Sequence, residues 1–128
     1  MPIELTMVSE EGFAATTTIR DHEVTVDLTH ETAPDSLETL LATYASCYVP
    51  ALRVGGRQRG VEELGSIEID VTGQTNDDDK LESISFDVDV DVDLDDETAS
   101  KIVDRANELC KVHDALKPSL HADVTVET

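Results

Sequence analysis

The chain has 128 residues, 29 of them acidic against 9 basic, and a formal net charge of −20. That balance repels nucleic acid and anionic membranes, so neither is expected as a partner. The length predicts one domain, 1–128, with an aliphatic core, because there is no Trp and the aromatics are Phe13, Tyr44, Tyr48 and Phe86.

No signal-peptide pattern or membrane-length apolar run is present, which predicts a cytoplasmic location. Regular apolar periodicity argues against disorder. The acid coat then resembles that of cytoplasmic proteins from salt-accumulating organisms, a halophilic character. Molar salt shortens the screening length there to about 3 Å.

In chain order, Ile3 to Val8 reads as a short strand. Phe13 to Ile19 and Glu23 to Leu28 read as a hairpin around Arg20-Asp21-His22, with Val24, Val26 and Leu28 on one face and Thr25 and Asp27 on the other. A polar loop with Pro34 leads into a long helix, roughly Ser36 to Gly60. Its apolar residues Leu37, Leu40, Leu41, Tyr44, Cys47, Tyr48 and Leu52 recur at steps of three and four. Ser36 is the expected N-cap, and Pro50 predicts a kink just after Cys47. Gly55 and Gly56 are expected to fray the far end, beside a solvated basic cluster of Arg53, Arg57 and Arg59.

Ile67, Ile69 and Val71 alternate with polar residues as a strand. A turn follows at Asn76 to Lys80, then a long strand from Ile84 to Leu94. The acidic ladder on that strand does not match a calcium loop, since Val92 stands where the loop needs Gly. A second helix, about 97 to 111, carries Ala99, Ile102, Val103, Ala106, Leu109 and Cys110 on its apolar stripe. Val112 to Leu116 is a short helical turn, and Leu120 to Val126 is a closing strand. The order β-β-β-α-β-β-α-(α)-β is an α+β class with mostly antiparallel sheet.

Two cysteines without an export signal point to redox or catalytic use, or to core packing, rather than to a structural disulfide. Each lies on an inward helix face, so Cys47 reads either as core filler or as a reactive thiol. Cys110-x-x-His113 is half a metal site. His22, His30 and His121 stand alone, so no metal site is expected.

Two motifs carry a resemblance that spans nearly the whole chain. Glu38-Thr39-Leu40-Leu41-Ala42-Thr43-Tyr44-Ala45-Ser46-Cys47 resembles P-x-E-L-L-L-A-A-L-A-x-C, and Cys110-Lys111-Val112-His113-Asp114-Ala115-Leu116 resembles C-P-V-x-x-x-L. Both belong to the osmotically inducible protein C / organic hydroperoxide resistance (OsmC/Ohr) family. The resemblance implies an OsmC-like fold and an intertwined homodimer with the long helices at its centre. It also implies a thiol peroxidase, a stress-response antioxidant oxidoreductase that reduces organic hydroperoxides. Cys47 would become a sulfenic acid and Cys110 would resolve it as a disulfide. A small dithiol, dihydrolipoamide in one branch, would reduce that disulfide, with no cofactor and no metal.

A free thiol has a pKa of about 8.5, so Cys47 needs a cation nearby. The family uses an N-terminal arginine held by a motif glutamate. Arg20, the only arginine before the helix, and Glu38 match those roles. Two departures stand out. Lys111 replaces the motif Pro, and nine residues of unbroken helix turn Glu38 about 180° from Cys47. The rival reading is a non-catalytic OsmC-like dimer that binds a small apolar ligand.

Overall fold

The computed structural model describes residues 1–128, which form two compact units, Met1–Leu40 and Leu41–Thr128. The first holds an antiparallel sheet in the order β1-β2-β3, with β1 at Thr6–Val8, β2 at Ala14–Ile19 and β3 at His22–Asp27. Ile19 pairs with His22, so the hairpin turn is Arg20-Asp21 alone, and Arg20 is forced to a φ of 55°. Thr16 and Thr25 face each other across β2 and β3 with their hydroxyls 2.9 Å apart.

The alternation along β3 has an unforeseen result. Val24 and Leu28 are exposed, whereas Asp27 is buried. A carboxylate can sit there because four donors meet it. Oδ1 accepts the Thr29 N–H at 3.0 Å and hydroxyl at 2.7 Å, and Oδ2 accepts the Thr32 N–H at 3.1 Å and hydroxyl at 3.0 Å. Those bonds favour the charged form and hold the Asp27 pKa down to about 2.

The long helix α1 spans Ser36–Gln58. Its cap corrects the expectation for Ser36. Asp35 Oδ1 accepts the Glu38 N–H at 2.8 Å and Glu38 Oε1 accepts the Asp35 N–H at 2.9 Å, a capping box one residue earlier. A carboxylate at that position also suits the positive end of the helix dipole.

The second unit holds β4 (Ile67–Thr75), β5 (Leu81–Val90) and β6 (Asp123–Glu127) in the order β4-β5-β6. β4 and β5 are antiparallel, and β6 joins β5 in parallel. The helices after β5 are α2 (Asp96–Leu109) and α3 (Lys111–Ala115), followed by a 3-10 turn at Pro118–Leu120. β5 follows its sequence pattern. Ile84, Phe86, Val88 and Val90 are buried, whereas Asp87 and Asp89 are exposed. Asp95 caps α2 by accepting the Thr98 N–H at 2.7 Å, and Lys101 pairs with Glu97 at 3.1 Å.

Tyr44 and Tyr48 of α1 meet Phe86 of β5 at the core, with ring centroids 4.7 and 5.2 Å apart in edge-on geometry. The two glycines late in α1 are contact points and do not fray the helix. A Cβ on Gly55 would lie 3.3 Å from the Ile102 carbonyl oxygen of α2, and one on Gly56 would lie 3.3 Å from the Val61 oxygen. Their lack of a side chain is what lets α2 and the post-helix loop close onto α1. No helix is long and apolar enough to cross a membrane.

Candidate active site

Cys110 sits at the junction of α2 and α3, and not within α2 as its place on the apolar stripe predicted. The reason is its backbone, which is extended there, at φ −74° and ψ 113°. Its N–H still closes α2 onto the Ala106 oxygen, while its sulfur caps α3 by accepting the His113 N–H at 3.5 Å. The side chain is 1% exposed.

Cys47, from the middle of α1, is partly exposed and near enough to Cys110 for each thiol to act on the other's ionisation. Neither is in a disulfide. Their environments push them in opposite directions. Cys47 is held below the ordinary thiol pKa, chiefly by the Val112 N–H, and further by the Cys110 thiol, the Lys111 N–H and the Lys111 charge. Burial opposes this only in part. Cys110 is pushed up, first by burial and then by Cys47 itself. The pair thus has one sulfur that gives up its proton more readily than an ordinary thiol and one that holds it more tightly.

Cys47 opens onto a cavity of about 280 Å³ lined by Pro50, Ala51, Val54, Leu109 and Lys111. Apart from the thiol and the ammonium, the walls are apolar. Lys111, a departure from the motif at the sequence level, therefore stands beside the sulfur. Behind Cys110 lies a buried polar chain that the sequence did not signal. Tyr44 is fully buried; its hydroxyl oxygen accepts the Ala122 N–H at 3.0 Å and lies 2.6 Å from His113 Nδ1. With one N–H already on its oxygen, the hydroxyl donates to a neutral His113. The His113 ring stacks on His121 at 3.8 Å, so His121 does not stand alone. Burial and the His121 charge both hold the His113 pKa down.

Arg20 and Glu38 belong to the first unit. Arg20 occupies the hairpin turn. The Glu38 carboxylate is engaged in the capping box and lies 3.4 Å from His30 Nε2, which is itself 2.7 Å from Asp35 Oδ2. His30 is therefore not isolated either. His30, Asp35 and Glu38 are a group of three with ligating atoms within 4.8 Å of one another, at an exposed helix start. Cys110 and His113 are not part of that group.

Residues 29–125 match the family model described as OsmC-like protein. The chain belongs to the OsmC-like protein family. A relative is an uncharacterised protein from Haloferax volcanii, 48% identical over 124 residues, which cover 97% of this chain and 94% of that one. The OsmC-like protein from Mycoplasma pneumoniae shares the fold with a TM-score of 0.81 at 16% identity, over 99% of this chain and 95% of that chain. The organic hydroperoxide resistance protein OhrB of Bacillus subtilis matches with a TM-score of 0.73 at 22% identity, over 99% and 98% of the two chains. The α+β class read from the element order, and the OsmC-like fold that the two motifs implied, are thereby established.

Proposed function

We propose that the protein is a thiol peroxidase that reduces organic hydroperoxides, with Cys47 as the attacking thiolate and Cys110 as the resolving thiol. The observation that carries this reading is a pair of neighbouring thiols shifted in opposite directions, of which Cys47 opens onto an apolar cavity and Cys110 is buried. The organic hydroperoxide resistance activity in the name of the B. subtilis OhrB supports it by analogy of fold.

The Cys47 thiolate attacks the outer peroxide oxygen. The O–O bond breaks, the alkoxide takes a proton and leaves as an alcohol, and Cys47 holds a sulfenic acid. Cys110 then attacks the Cys47 sulfur. The S–S bond forms, and hydroxide leaves as water with the Cys110 proton. A small dithiol supplies two electrons through a mixed disulfide and restores both thiols. Arg20 and Glu38 keep the roles that the family resemblance gives them, a cation for the thiolate and its holder. The chain acts as a cytoplasmic homodimer in this reading. Leu5, Met7, Val8, Phe13 and Leu28 are all exposed, more apolar surface than the first unit has reason to leave in water.

The test is a free-thiol count after adding an aryl hydroperoxide. Both thiols disappear together in the parent chain, and the single remaining thiol, Cys110, does not react in Cys47→Ser. Two unreacted thiols under excess hydroperoxide would overturn the reading and favour a dimer that binds a small apolar ligand in the same cavity.

A further inference from the structure

Lys111 holds three positions at once. It is the first residue of α3, directly after the Cys110 cap. It lines the cavity that opens at Cys47. Its ammonium is in none of the ion pairs, which join His30 to Asp35 and Glu38, Lys101 to Glu97, and Arg105 to Glu108. The motif residue at this place, proline, has neither an N–H nor a charge.

We propose that Lys111 stabilises the Cys47 thiolate in this chain, its ammonium serving as a cation on the cavity that the two residues share. The inference rests on the reading of Cys47 as the attacking thiolate and names the residue that readies it. The titratable groups acting on Cys47 are Cys110 and Lys111, both at the start of α3. Of these only Lys111 carries positive charge. The ammonium of an exposed lysine is screened by ions.

The test is the pH dependence of Cys47 alkylation by iodoacetamide in a Cys110→Ser background, which leaves one reactive thiol. Lys111→Met slows alkylation at neutral pH by about threefold to tenfold, a shift of up to one unit in the thiol profile. Most of that loss vanishes in molar KCl, where the charge is screened in the parent too. Lys111→Pro, which also removes the charge, is slowed as Lys111→Met is. Lys111→Arg keeps the parent rate. Proline is favoured at the first position of a helix, so Lys111→Pro retains α3. Either Lys111→Met or Lys111→Pro keeping the parent profile overturns the inference. Because alkylation uses no hydroperoxide, a chain whose Cys47 ignores hydroperoxide but still responds to Lys111 would sink the peroxidase reading alone.

Discussion

At the scale of single residues, the polar chain behind Cys110 is the most exacting feature of the second unit. The Tyr44 hydroxyl satisfies the Ala122 N–H and His113 Nδ1 together, inside the aromatic core. Tyr44→Phe keeps the ring packing and leaves both partners without a bond. It is expected to lower the unfolding free energy by about 1–3 kcal/mol, the usual penalty for orphaned buried groups, measured by urea titration. His113 adds a pH dependence. Its folded pKa is depressed while the unfolded value is 6.5, so the unfolded chain binds the proton first. The stabilisation is complete above about pH 6.5 and is lost as pH falls from there toward the folded value. His30 acts with the opposite sign. Its raised pKa, due first to Asp35, gives stability that is complete below its unfolded value and fades as pH rises through the folded one. His113→Gln, whose amide oxygen can still accept from Tyr44, should flatten the acid-side loss in a pH series of melts. An unchanged slope would count against the neutral buried imidazole.

At the scale of elements, α1 and α2 approach through a bare patch at Gly55. The Ile102 oxygen and the Ala106 nitrogen already stand within 3.5 Å of where a Cβ would be. Gly55→Val therefore overpacks this contact and should cost about 1–3 kcal/mol by the same titration, although valine alone is no worse than glycine in a helix. A stability equal to the parent's would show that the two helices do not need the close approach. This contact also marks what the sequence left hidden. Period and alternation gave α1, β4, β5 and α2, because each buries one regular face. They could not tell that Gly55 meets α2, since a tertiary contact leaves no period. Asp27 breaks the pattern for a similar reason. Its burial depends on Thr29 and Thr32 folding back over it, and hydroxyls in a loop look the same whether or not they do so. The two cysteines were legible as inward-facing positions. That Cys110 falls on an extended cap between two helices, with its sulfur bonded to the His113 N–H, was not. Lys111 was legible only as a departure. Its significance needed the cavity.

At the scale of the whole molecule, a formal charge of −20 sets a cost that every fold of this chain carries. Carboxylates crowd one another in the native state more than in the expanded unfolded one, so screening favours the native state. The melting temperature should rise from dilute buffer to molar KCl, and a flat response would contradict an acid coat adapted to salt. The same charge makes a thiolate harder to form, so the local donors at Cys47 work against the field of the molecule. All of the chemistry argued for this protein comes down to the Cys47 and Cys110 sulfurs exchanging one bond. The most direct measurement is the intact mass of the chain after one equivalent of an organic hydroperoxide. The parent should lose two hydrogens, Cys110→Ser should gain one oxygen, and Cys47→Ser should not change. A parent chain that keeps its mass, or one that gains oxygen without closing the bond, would contradict that chemistry.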